Sequence, residues 1–167
     1  LLKTTNSKNL CIAGGVGLNC VMNQKIQENV KFKNIFVQPA ANDAGTSLGA
    51  ALYASHYLLG EKSSFSMTSA FLGPGYENKT IEKILIENKL RYKYRQNICE
   101  IAAKLISEGK IIGWFQGRME YGPRALGGRS ILADPRNPKM KDIINERIKH
   151  REIFRPFAPS ILEEYAQ

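Results

Sequence analysis

The fourteen residues Gly117-Arg118-Met119-Glu120-Tyr121-Gly122-Pro123-Arg124-Ala125-Leu126-Gly127-Gly128-Arg129-Ser130 constrain this chain more than any other stretch. Three arginines and four glycines make the segment too polar for a core and too glycine-rich for a regular helix. Arg136 follows on Asp134-Pro135, so four arginines fall within nineteen residues. Glycines let backbone approach a ligand closely, and guanidinium forks match phosphate or carboxylate oxygens in pairs. The combination predicts a pocket for a small, highly charged anion such as a phosphate ester. Trp114, Phe115, Met119, Tyr121, Leu126, Ile131 and Leu132 are interleaved with the glycines. Disordered Arg/Gly tracts lack such anchors, so an ordered loop is expected rather than a solvated one.

Charge distribution supports an anionic partner. The net charge is +9, and residues 110–155 hold 11 basic and 5 acidic side chains, a surplus of 6. A small anion or a nucleic acid would both be drawn to that window. With 167 residues and 43% apolar content, the chain can form one ordinary domain or two small ones. Cys11, Cys20 and Cys99 show no CxxC spacing, and Cys11 lies in an apolar run that predicts a buried free thiol. Such usage points to a reducing compartment, and no run approaches transmembrane length, so a cytoplasmic protein with no membrane partner is expected. The chain opens on Leu1 instead of Met and stops in a helix-like run at Ile161–Tyr165, both expected of a fragment.

The chain reads as α/β. Residues 9–13 are a short apolar run closed by Gly14-Gly15, a strand entering a tight loop. Gly17–Asn29 is patterned as a helix, with Leu18, Val21, Met22 and Ile26 on one face. A second strand at 34–37 leads through a Pro-Ala-Ala-Asn-Asp-Ala-Gly loop into a small-residue helix at 47–58. Ligand loops are therefore expected at the carboxyl ends of the strands. A polar, serine-rich stretch from 60 to 68 reads as a linker. Beyond it, helices are expected at 80–88, 98–108 and 139–150, the last with Ile143, Ile144 and Ile148 inward, and a strand at 111–115.

Two further loops are candidates for binding. Gly14-Gly15-Val16-Gly17-Leu18-Asn19 joins a strand to a helix, a place suited to phosphate, although it is neither a Walker loop nor GxGxxG. A structural tight turn is an equal reading. Asp43, after the second strand, is either a metal ligand or a cap of the following helix. His56 and His150 have no metal-site spacing with it and read as structural or solvated. No nucleophile–base pair is evident, so catalytic residues are not assigned, and Glu120 is expected to orient a neighbouring guanidinium.

Four motifs occur together and in order: residues 10–19, 39–51, 117–136 and Phe154-Arg155-Pro156-Phe157-Ala158-Pro159. In this the chain resembles the O-carbamoyltransferase family of nodulation protein U and antibiotic-tailoring carbamoyltransferases, over nearly its whole length. The resemblance implies the C-terminal part of an actin-like (ASKHA) domain at 1–62, a linker at 63–69 and most of a YrdC-like C-terminal domain at 70–167. It implies that carbamoyl phosphate and ATP give a carbamoyl-adenylate, whose carbamoyl group passes to the hydroxyl of a small molecule. Gly14, Gly15 and Asn19 would contact nucleotide, and Asp43 would ligate a divalent metal, expected to be iron. Arg118, Arg124, Arg129, Arg136 and Arg155 would contact carbamoyl phosphate and triphosphate. Gly17 stands where the family commonly has alanine. The upstream histidines that complete the metal site are absent here, so the chain is expected to be inactive alone, with a homodimer as the candidate assembly. One rival is a tRNA threonylcarbamoyl transferase, which shares the first two loops but lacks the arginine motif. The other is a basic nucleic-acid-binding module, a partner class disfavoured here because it would interleave exposed aromatics with basic residues.

Overall fold

A computed structural model describes residues 1–62 and 66–165. Part of the expected linker, residues 63–65, and the last two residues therefore lie outside the described residues. The described chain is mixed α/β, with two short two-stranded sheets. It separates into two compact units, residues 1–77 with 116–129, and residues 78–115 with 130–167.

In the first unit, α1 (Leu2–Thr5) precedes β1 (Asn9–Ile12), which pairs in parallel with β2 (Asn34–Val37). Leu10 faces Ile35 and Ile12 faces Val37 in register. These four are half-buried, whereas Cys11 and Phe36 point to the other, exposed face. The buried thiol expected at Cys11 is thus not found: strand alternation puts it on the exposed face. The crossover helix α2 spans Cys20–Asn29. It starts three residues later than expected because Gly15–Leu18 forms a separate 3-10 turn. Asn19 keeps extended dihedrals and its Oδ1 accepts from the Met22 amide at 3.2 Å, capping the helix. Val21 is left exposed, while Met22 and Ile26 are half-buried. The loop after β2 carries the buried apolar residues of this unit, Ala40 and Ala41. Helix α3 (Thr46–Tyr53) follows and widens into a π turn over Ala54–Leu58, close to the span expected.

The second unit contains α4 (Asn78–Glu87), α5 (Ile98–Ser107), β3 (Ile112–Phe115), most of β4 (Arg129–Leu132) and α6 (Met140–Ile144). Strand β4 pairs with β3, a pairing absent from the sequence reading. Its apolar run, Ile131-Leu132, is too short to stand out beside the arginine loop. Ala102, Met140 and Ile144 are buried. The expected helix at 139–150 narrows to α6 and then opens into a π turn, Asn145–Lys149. That wider turn carries Ile148 off the apolar face, leaving it 44% exposed. The expected helix at the C-terminal end is only a 3-10 turn, Glu163–Tyr165.

Asn145 anchors this region and is fully buried. Its Nδ2 donates to the carbonyls of Ile153 and Arg155 at 3.2 and 3.0 Å, and its Oδ1 accepts from Arg151 Nε at 2.7 Å. Asn145→Ala removes a fully buried side chain and leaves two carbonyls and one guanidinium donor without this partner. Its expected cost is about 2–4 kcal/mol of unfolding free energy, read by urea titration. A loss under about 0.5 kcal/mol would show that the 151–155 turn is held by other contacts.

Candidate functional site

Three loops that the sequence marks separately meet in the first unit. Residues 118–121 run beside 70–75: the Met119 amide donates to Pro74 O, Gly73 N to Met119 O, and Tyr121 N to Ala70 O, at 2.9, 2.9 and 2.6 Å. Gly75 and Arg118 form an isolated antiparallel bridge. The chain then turns at Gly122, whose φ of 105° is unfavourable for any side chain. A Cβ at Gly122 would overlap the Pro39 carbonyl, so glycine is what brings the arginine segment onto the loop after β2. Tyr121 secures the same junction, its hydroxyl donating to Ala44 O at 3.2 Å. The glycine loop joins from the other side, with Gly14 N donating to Ala41 O at 2.6 Å.

Arg124 closes this arrangement. Its Nη2 donates to the carbonyl of Leu18 at 2.6 Å, which sets the guanidinium beside the 14–19 loop. Arg118 likewise donates to carbonyls, from Nε to Gly73 and from Nη2 to Leu72, both at 2.8 Å. Among the described residues, no carboxylate lies within 4 Å of either guanidinium, so both retain uncompensated charge.

The other three candidate arginines, Arg129, Arg136 and Arg155, each lie beside a carboxylate. Arg129 Nε lies 3.2 Å from the carboxylate of Glu120, and its Nη2 donates to the Glu120 and Gly122 carbonyls. The orienting role expected of Glu120 is therefore met, and its target is Arg129. Glu120 is 4% exposed and also accepts from the amides of Leu126 and Gly128, at 2.6 and 2.8 Å. Burial alone would raise its carboxyl pKa, but these backbone donors outweigh burial and hold it below the usual range. Arg136 and Arg155 belong to the second unit. Arg136 is bonded to Asp134, with Nη2 at 2.6 Å and Nε at 2.9 Å. Those hydrogen bonds lower the Asp134 pKa to about 2. Arg155 Nε lies 2.8 Å from Glu152.

Of the expected nucleotide contacts, Gly14 gives its amide to Ala41 and Asn19 gives its side-chain oxygen to the α2 cap. A Cβ on Gly14 or Gly15 would meet nothing within 4 Å, so backbone on this side of the loop is open to a ligand. Asp43 is exposed, and the turn and helix that follow have no side-chain cap; only its main-chain carbonyl takes part, accepting from Thr46 Oγ1 at 2.6 Å. The described residues contain no group of three His, Cys, Asp or Glu side chains placed to share a cation. Asp43 by itself does not fit a metal ion, which needs several ligands in a defined geometry. His56 is exposed, with Nδ1 2.9 Å from Glu61 O, and His150 is exposed in a left-handed conformation. The sequence reading missed Gly122 as the hinge of the junction and Asn145 as a buried hub. The second had a visible signal, a polar residue directly after two inward isoleucines.

Comparison with known proteins places these loops in a family context. Residues 1–52 match the family model described as the carbamoyltransferase N-terminus, and residues 103–167 match the carbamoyltransferase C-terminus. The uncharacterized protein sll1178 of Synechocystis is 48% identical over 165 residues, which is 94% of this chain and 27% of that protein. The nodulation protein NolO of Bradyrhizobium diazoefficiens is 46% identical over 167 residues, 98% of this chain and 30% of its own length. A nodulation protein U of Sinorhizobium fredii is 38% identical over 163 residues, 96% of this chain and 27% of its own. The chain thus spans less than a third of the length of these relatives.

Gly122→Ala is expected to destabilise the first unit by at least about 2 kcal/mol, since it adds left-handed strain and a clash with Pro39. Gly49→Ala, in open space within α3, should be neutral or stabilising by up to about 1 kcal/mol. Equal melting temperatures for the two variants would contradict the junction. Asp134 has a depressed pKa, so its ion pair contributes above about pH 4 and fades as pH falls toward 2. Asp134→Asn should therefore melt below the wild type near neutral pH, and the gap should narrow as pH falls through about 2 and close below it. A gap that persists in acid would assign the difference to packing instead.

Proposed function

The chain belongs to the carbamoyltransferase family, and we propose that it is part of an enzyme that activates carbamoyl phosphate with ATP and carbamoylates a hydroxyl. The reading assigns residues 1–62 to an actin-like domain, 63–69 to a linker and 70–167 to a YrdC-like domain. In it, the 116–129 segment is the part of the second domain that folds against loops of the first. One observation carries the proposal: Arg124, with no carboxylate partner among the described residues, is tied to Leu18 at the glycine loop. A phosphate-bearing substrate between them would find positive charge on one side and open space beside the Gly14–Gly15 backbone on the other, with the Gly14 amide already bonded to Ala41. Fixed charges of this kind stabilise charge that develops on phosphate oxygens as the carbamoyl group departs. Arg118 supplies a second cation on the same segment, and Arg129 supports the turn between them.

Any metal in this reading, iron being expected, takes further ligands from beyond the described residues, with Asp43 as one exposed carboxylate. A small-molecule alcohol as acceptor and a cytoplasmic setting belong to the same proposal. Among the described residues no helix is long and apolar enough to cross a membrane.

A second reading has one observation in its favour. Tyr92 and Tyr94, 42% and 67% exposed, alternate with exposed Arg91, Lys93 and Arg95, an arrangement that can stack bases and track phosphates. Oligonucleotide binding that falls steeply with salt and disappears in a Tyr92→Ala/Tyr94→Ala variant would support it.

For the enzyme reading, Arg124→Ala should weaken carbamoyl phosphate binding by about 1.5–3 kcal/mol in calorimetry, the loss of a charge-assisted contact. Equal affinity in wild type and variant would remove Arg124 from the site.

A further inference from the structure

The amides of Leu126 and Gly128 converge on one point, as they would around a bound anion, but the point is filled by the carboxylate of Glu120. The same carboxylate takes the Nε of Arg129. Glu120 is thus a resident anion in a small backbone nest, six residues before the first amide it binds and nine before the guanidinium. Gly128 is fitted to it: a Cβ there would lie 2.6 Å from Arg118 O and 3.2 Å from Glu120 Oε2. The turn between, residues 121–125, holds Pro123 and Arg124 and is closed at both ends by these contacts.

We propose that Glu120 is a positioning residue for anion binding, one that closes the 121–129 turn so that Arg124 stands at the 14–19 loop before any ligand arrives. It rests on the anion-binding reading above and extends it. Because Glu120 already occupies the nest and compensates Arg129, an incoming phosphate is directed away from both and toward the uncompensated Arg124. The carboxylate acts through the loop and does not touch the ligand. Chemistry at this position requires an acceptor on both terminal atoms. Glutamine keeps one oxygen for the two amides but turns an NH2 toward the Arg129 Nε–H, donor against donor.

The test is a double-mutant cycle read by calorimetry with carbamoyl phosphate as the probe, using Glu120→Gln, Arg124→Ala and the pair. Circular dichroism and melting establish that all four proteins are folded at the temperature used. If Glu120 acts by placing Arg124, Glu120→Gln weakens binding about ten-fold or more in the wild-type background and less than about two-fold beside Arg124→Ala. Equal losses in both backgrounds, or no loss, overturn the proposal, because a general structural role carries no dependence on Arg124. Amide hydrogen exchange on the ligand-free wild type supplies an arm independent of the substrate. The Leu126 and Gly128 amides should exchange at least about ten-fold more slowly than those of exposed loop residues. Should the wild type bind no carbamoyl phosphate, the substrate reading fails. The preformed turn is then decided by exchange alone, with fast exchange at both amides refuting it.

Discussion

The first unit depends on the contact between Gly122 and the carbonyl of Pro39, where two pieces of chain more than eighty residues apart in sequence touch backbone to backbone. Any side chain at Gly122 would separate them. With the contact in place, Tyr121 reaches Ala44 and Arg124 reaches Leu18, so one glycine determines whether the arginine loop has a floor. The residues that follow Pro39, Ala40 and Ala41, are 1% and 5% exposed. Small residues there are a packing requirement, since the Ala41 methyl lies next to Gly17 and the Ala40 methyl next to Gly45. Gly45 makes the same point, its missing Cβ leaving room for the Ala40 carbonyl.

Electrostatics then sorts five arginines that look equivalent in sequence. Three meet carboxylates: Glu120 for Arg129, Asp134 for Arg136 and Glu152 for Arg155. Arg118 and Arg124 meet carbonyl oxygens, which orient a guanidinium without cancelling its charge. A paired arginine attracts an anion weakly, because the ligand must compete with a carboxylate already in place. The segment therefore contains both a paired arginine, held by Glu120, and two arginines whose charge no described carboxylate offsets.

Much of this was legible in the residues. The strand–glycine loop–helix–strand order came through because apolar periodicity and Gly14-Gly15 are local signals, and the observed parallel pair follows it. The orienting role of Glu120 was legible for a similar reason, as a lone acid among nearby arginines. What escaped depends on distant partners. That Gly122 needs to be glycine is decided by Pro39, and that Asn145 is buried is decided by carbonyls at 153 and 155. Strand β4 was hidden because its pairing with β3 gives an apolar pair too short to show a period. Cys11 was misjudged for the opposite reason. An apolar run signals burial only when both faces of its strand are covered, and here one is open.

In the proposed reading, the loops at 14–19, 39–45 and 118–129 form one anion site. A nitrogen-15 amide titration with carbamoyl phosphate tests it most directly. Shift changes should saturate together, with one dissociation constant, at Gly14 and Gly15, at residues 42–44 and at residues 122–126. Changes confined to the surroundings of Arg136 and Arg155, or distinct affinities for the three loops, would contradict it.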